Sequence, residues 1–197
     1  MKIGLLGTHC TGKTTFAKDI CEEIPGYMVS ESARDCPYPL NQSGDIRSQM
    51  WILTEQMRRE TAAVCENATV VCDRTTIDNM AYAQWLFDHG RLNPRYYQPY
   101  IDAAASWIST YDVLIYVPFD PSIPLELDGV RLDDRKYQQE IDEIISSFID
   151  MLDIPVHEAT GSRQKRVSRA MEAIDDARYC DGDPEQTAGL DRRTASA

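Results

Sequence analysis

Residues 7–14 read Gly-Thr-His-Cys-Thr-Gly-Lys-Thr and match G-x-x-x-x-G-K-[ST] at every fixed position. That spacing suits the gripping of a polyphosphate. Gly7 and Gly12 allow backbone angles and close approaches that a side chain forbids. The N–H groups of the loop through Thr8, His9, Cys10 and Thr11 can then turn inward as an anion-binding nest at the start of a helix. Lys13 would reach the β- and γ-phosphates of ATP, the Thr14 hydroxyl would ligate Mg²⁺, and Thr15 carries the stretch into the helix. The plain alternative is a chance match in a turn. Against it, an apolar run at 3–6 precedes the loop and an amphipathic segment follows it, the context that the chemistry needs.

Further residues at strand ends have types suited to phosphoryl transfer. In "SESARD" (30–35), Glu31 could take the proton from an attacking hydroxyl and Arg34 could orient an acceptor through its planar fork. A near-neutral surface pair is the alternative there. In "VVCDRTT" (70–76), Asp73 could hold Mg²⁺ directly or through water, and Arg74 could reach the acceptor or the moving phosphoryl group. The alternative makes Thr75 or Thr76 a helix cap and leaves Asp73 and Arg74 as ordinary loop residues. The proline-broken segment 120–135 carries Arg131 and Arg135, either lid arginines that neutralise developing charge or members of a solvated, mixed-charge loop.

Positioning these residues requires strands that end on one side of a sheet. Apolar runs at 3–6, 26–32, 68–74, 111–119 and 154–159 predict strands. Helical periodicity at 13–24, 44–67, 77–89, 93–110, 136–152 and 162–177 separates them. In the second of these helices, Ile46, Met50, Leu53, Met57 and Val64 mark the apolar face. Alternation of this kind implies a parallel sheet of about five strands with helices on both faces, an α/β P-loop NTPase fold with a mobile lid at 120–135. Ligands belong beyond the carboxyl ends of such strands.

The 197 residues suit one domain, placed at 1–177, and the polar remainder, 178–197, reads as a disordered tail. A net charge of −12 argues against a broad nucleic-acid footprint without excluding a local basic cleft. No apolar run is long enough for a membrane span and no basic-then-apolar leader is present, so a cytoplasmic location is expected. The six cysteines show no C-x-x-C pairing and read as reduced thiols.

Taken together, "GTHCTGKTT", "ESARD", "DRTTIDNMAYA", "DGVRLDDRKYQQEID" and "IPVHEATGSRQKRV" resemble the small P-loop kinases. The likeness is to the AAA-like P-loop family that includes the ribosylnicotinamide kinase domain of NAD-biosynthesis regulators, with thymidylate and deoxynucleoside kinases as further relatives. The resemblance implies that Glu31 is the base, that Asp73 and Arg74 form the Asp-Arg pair after the third strand, and that Arg131 and Arg135 are lid arginines. It further implies that Gly161 and Ser162 lie against the adenine and that the helix of Gln49, Trp51 and Gln56 faces the acceptor. A threonine follows the Asp-Arg pair where thymidylate kinases carry an aromatic. The expected activity is transfer of the γ-phosphoryl of Mg·ATP to a nucleoside, a monophosphate or a hydroxymethyl base in DNA, with Glu31 or Asp73 as base. A homodimer through the helix layer would suit the family. A switch GTPase lacks its N-K-x-D segment here, and a motor ATPase lacks a second acid beside Asp120. A P-loop ATPase or nucleotide-binding regulator without an acceptor is the remaining alternative.

Overall fold

A computed structural model describes residues 1–123, 134–152 and 154–180. The chain runs β1 (Lys2–Leu6), α1 (Lys13–Glu23), β2 (Tyr27–Val29), α2 (Ile46–Glu66), β3 (Val70–Asp73), α3 (Thr76–Asp88), α4 (Pro94–Ile108), β4 (Val113–Tyr116), α5 (Arg135–Leu152), β5 (His157–Glu158) and α6 (Arg163–Cys180). The strands form one parallel sheet in the order β2-β3-β1-β4-β5. Because every strand points the same way, the segments after β1, β2 and β3 open on one edge. That edge carries the site.

Both faces of the sheet are covered, so its central strands are continuously buried instead of alternating with solvent. Ile3, Leu5, Val71, Val113 and Ile115 face α1 and α6, where Phe16, Ala17, Ile20, Ala170 and Ile174 complete the layer. The opposite side chains, among them Leu6, Val70, Cys72 and Leu114, face α2 to α5. Gly4 of β1 decides how closely α3 can approach. A Cβ there would lie 2.6 Å from Thr75 Cγ2 and 2.9 Å from the Tyr111 ring, so only glycine lets the start of α3 rest on the sheet.

The structure bears out the parallel α/β architecture and shifts several details. The second strand is limited to Tyr27–Val29, because the chain turns into a 3₁₀ segment at Ser32–Asp35. The last strand shrinks to the exposed pair His157–Glu158 on the sheet edge, next to Pro155, which has no N–H for the ladder. α2 is turned in part from the face that its apolar residues predict. Leu53 is buried and Ile46 and Met57 pack against the core as expected, but Met50 and Val64 are 41% and 45% exposed, and Ser48, Gln49, Gln56, Glu60 and Ala63 are buried. Polar residues can occupy that inner face because the Glu60 carboxylate and the Gln56 amide are hydrogen-bonded there. α6 continues to Cys180. Most of the 120–135 segment, and 181–197, fall outside the described residues. Among the described residues, no helix is long and apolar enough to cross a membrane.

Candidate active site

The loop between β1 and α1 has the shape its glycines predict. Gly7 adopts φ +144°, and a Cβ there would lie 2.2 Å from the Val117 carbonyl oxygen. Gly12, at φ 84°, turns the chain into α1. Cys10 also takes a positive φ, 57°. Lys13 is buried at the centre of the loop, donating to the Thr8 carbonyl and, at 3.1 Å, to Thr11 Oγ1. Burial first, and then the neighbouring Arg74 guanidinium, lower its pKa from 10.5 to about 8, against the opposing pull of Asp78, Asp73 and Glu31. The ammonium therefore occupies a site poor in solvent and in compensating negative charge. A polyphosphate would supply both compensation and hydrogen-bond acceptors.

Thr14 Oγ1 donates to Asp73 Oδ2 at 2.6 Å, joining the start of α1 to the end of β3. Burial raises the pKa of Asp73, opposed by that hydrogen bond and by Lys13. A hydroxyl and a carboxylate oxygen meeting beside a phosphate loop are hard oxygen donors, and they fit Mg²⁺ of the kind held by few protein ligands and completed by phosphates and water.

Arg74 ties three strand ends together. Its Nε donates to Glu31 Oε1 at 2.6 Å, and its Nη1 reaches the Gly7 carbonyl at 3.2 Å and Asp78 Oδ1 at 3.3 Å. Burial opposes its charge but is outweighed by Glu31, Tyr82 and Asp78, so the guanidinium stays protonated. Its backbone is strained, with φ +113° at a non-glycine residue. Glu31 also lies 3.7 Å from Arg34, whose side chain is 43% exposed. Glu31 is therefore not confined to a surface pair. Thr75 does cap α3, through a capping box with Asp78, but Asp73 and Arg74 beside it are buried and engaged.

Two cavities meet at these side chains. The first is the phosphate cleft, lined by Cys10, Thr11, Gly12, Lys13, Thr14, Thr15 and Asp73. The second lies between α2, α3 and the segment after β2, and holds about 640 Å³ of space between protein atoms, part of it open to solvent. His9, Gln49, Ile52, Gln56, Asn79 and Tyr82 line it. Glu31, Arg34 and Arg74 line both. A shallower groove beside the phosphate loop runs past Thr15, Asp19, Gly161 and Arg166.

Several expected residues stand elsewhere. His9 turns from the phosphate cleft into the second cavity, with Nδ1 3.2 Å from the Tyr82 hydroxyl oxygen. Trp51 is half-buried outside both cavities, and Ile52 lines the second in its place, as the observed rotation of α2 requires. Gln56 lines that cavity, yet its amide is committed internally: Nε2 donates to Glu60 and to the Arg74 carbonyl, and Oε1 accepts from Asn79. Ser162 faces none of the three spaces; its carbonyl accepts from Arg166 N within the first turn of α6. Arg135 donates to the Ile123 carbonyl at 2.6 Å and lies outside both cavities. Arg131 lies outside the described residues.

The structure adds residues that the motifs did not single out. Asp78 accepts from the Gly7 N–H at 3.0 Å and from the Thr75 N–H and hydroxyl, anchoring the phosphate loop to α3. The Thr-x-x-Asp spacing of a capping box was a legible signal for it. Arg166 donates to the Thr11 carbonyl at 2.9 Å and to the Gly161 carbonyl at 3.2 Å, and no local pattern announces a contact spanning 155 positions.

Solved structures of the same fold include deoxyadenosine kinase from M. mycoides with products dCMP and a flexible dCDP bound. It is 17% identical to this chain, with a TM-score of 0.72 over 89% of this chain and all of the other. The same enzyme with bound dATP gives 17% identity and a TM-score of 0.69 over 89% of this chain and 99% of the other. NadR protein in complex with NR is 16% identical, with a TM-score of 0.72 over 87% of this chain and 51% of that one. These likenesses show the fold. No curated protein matches the chain in sequence. A family model described as an AAA domain matches residues 2–166, and the chain belongs to that family of P-loop domains.

Proposed function

We propose that the protein is a Mg·ATP-dependent kinase that phosphorylates a hydroxyl of a nucleoside-type acceptor. The observation that carries this reading is the pair of cavities sharing Glu31, Arg34 and Arg74. An enzyme that only hydrolysed ATP would need the phosphate cleft and a water. A second, partly apolar cavity abutting the γ-phosphate position suits an organic acceptor.

The roles follow from position. Lys13 and the loop N–H groups hold the triphosphate. Thr14 and Asp73 would hold Mg²⁺, which when bound neutralises charge on the β- and γ-oxygens. Glu31 borders both cavities whereas Asp73 borders only the phosphate cleft, so Glu31 is assigned as base. The acceptor oxygen gives its proton to Glu31 and bonds to the γ-phosphorus; the bond to the bridging β-oxygen breaks, and ADP leaves with that electron pair. Arg74 holds the Glu31 carboxylate beside that oxygen.

Charge narrows the acceptor. The carboxylates of Glu31 and Asp78 balance the guanidiniums of Arg34 and Arg74, and Arg74 is already engaged by both acids. Among the described residues these four charges cancel, which favours a neutral nucleoside over the dianion of a monophosphate. The likeness to deoxyadenosine kinase and to NadR bound to NR agrees with this choice.

The test is γ-labelled ATP with Mg²⁺, offered nucleosides, nucleoside monophosphates, nicotinamide riboside, and DNA with or without hydroxymethylated bases. Label on a free nucleoside is the expected result. Free phosphate with no labelled acceptor overturns the kinase reading. Label on a monophosphate or on DNA alone overturns the choice of acceptor.

A further inference from the structure

Glu60 sits on α2, one turn beyond Gln56, and is fully buried. Its carboxylate is surrounded by donors. Oε2 accepts from Lys2 Nζ at 2.9 Å and Trp107 Nε1 at 2.7 Å, and Oε1 accepts from the Tyr111 hydroxyl at 2.8 Å and Gln56 Nε2 at 2.9 Å. Lys2 also donates to Thr110 Oγ1 and lies 4.2 Å over the Tyr111 ring. The network thus begins at the start of β1, at the amino ends of the strands, opposite the ends that carry the site.

Its other end reaches the site. Both Glu60 oxygens accept here, as does the Arg74 carbonyl, and together they select one of the two ways the Gln56 amide can face. With Nε2 turned to Glu60, the second Nε2 proton reaches the Arg74 carbonyl at 3.1 Å, and Oε1 accepts from Asn79 Nδ2 at 2.8 Å. Both recipients matter. Arg74 is the residue held at φ +113°, and Asn79 lines the acceptor cavity. A sparsely populated backbone conformation persists only when its surroundings fix it.

We propose that Glu60 is a positioning residue for the acceptor site: through Gln56 it fixes the Arg74 backbone and the Asn79 amide, and so sets where the Arg74–Glu31 pair stands. Its kinetic consequence rests on the kinase reading, whereas its structural consequence does not.

The test uses the full chain and two variants. Lys2→Met/Glu60→Gln removes both buried charges together, so neither is left uncompensated. Gln56→Met removes the Gln56 bonds to Glu60, the Arg74 carbonyl and Asn79 while Glu60 keeps Lys2, Trp107 and Tyr111. The first readout is the ¹H–¹⁵N signal of Arg74 Nε–H, identified by its loss in Arg74→Lys. Its exchange with solvent should be at least tenfold faster in both variants than in the wild type. The second is kinetic: kcat/KM for the acceptor should fall at least tenfold, with KM for ATP within twofold, and combining the variants should cost no more than Gln56→Met alone. A merely structural pair would lower stability and leave both readouts unchanged in folded protein.

Unchanged Arg74 exchange in folded Gln56→Met overturns the proposal whether or not the double variant folds. Faster Arg74 exchange in a protein that transfers phosphate to no acceptor supports the positioning role and removes the kinase reading instead. Additive losses in kcat/KM would overturn the route through Gln56.

Discussion

Replacing Lys13 with methionine should stabilise the ligand-free protein at neutral pH, and the size of the gain should depend on pH in a defined way. The ammonium is buried, and its pKa falls from 10.5 to about 8 on folding. At about 1.4 kcal/mol per pH unit, that fall corresponds to a folding penalty of about 3 kcal/mol. The penalty is fully present below pH 8, where both folded and unfolded chains carry the proton. It shrinks as pH rises toward 10.5, because the unfolded chain alone still binds the proton in that window. Lys13→Met has no such proton to lose. The hydrogen bonds to the Thr8 carbonyl and Thr11 Oγ1 disappear at every pH in the variant and contribute a constant offset. Unfolding in urea, at pH values from 7 to 10.5, should therefore show the stability of the wild type rising relative to the variant by about 3 kcal/mol. In thermal melts this is about 6–12 °C for a chain of this size. A difference that stays flat across that range would refute the claim that Lys13 is held as a desolvated cation awaiting phosphate. The same variant should no longer bind ATP.

Glu31→Gln should lower kcat at least a hundredfold and leave KM for ATP within about threefold, as measured in steady-state transfer assays. Asp73→Asn should raise the Mg²⁺ concentration needed for half-maximal rate by about tenfold or more, read from a magnesium titration. Arg74→Met removes the guanidinium from the buried Asp78 carboxylate and from Glu31, and should cost about 3 kcal/mol in denaturant melts. Gly7→Ala places a methyl group against the Val117 carbonyl, and calorimetry should find ATP binding abolished.

The phosphate loop was legible because its motif is contiguous and its flanking strand and helix lie within Lys2–Glu23. The alternating pattern of 3–6, 13–24 and onward likewise announced a covered parallel sheet, as β1 and α1 show. What escaped the sequence depends on partners far apart. Glu60 is buried because Lys2, 58 positions away, neutralises it, so the inner face of α2 could not be found from apolar spacing. Glu31 and Arg74 were each readable as candidates, but their pairing across 43 positions was not. The misplacement of Trp51 follows from the same rotation of α2, and the contact of Arg166 with the phosphate loop needs the whole chain to have folded. Local chemistry is written locally; the registration of one helix on the sheet is not.

The sharing of one wall by two cavities also limits how such an enzyme can change its taste. If the protein is the kinase proposed, altering Glu31, Arg34 or Arg74 for a new acceptor would also disturb the phosphate cleft that they line. Leu40, Asn41, Gln49 and Ile52 border the second cavity alone. On the proposed reading, variation that redirects the protein to another substrate falls on these positions and on Asn79 and Tyr82 of α3, which also border the second cavity and not the first. A library randomised at those positions explores new acceptors with the transfer chemistry held constant.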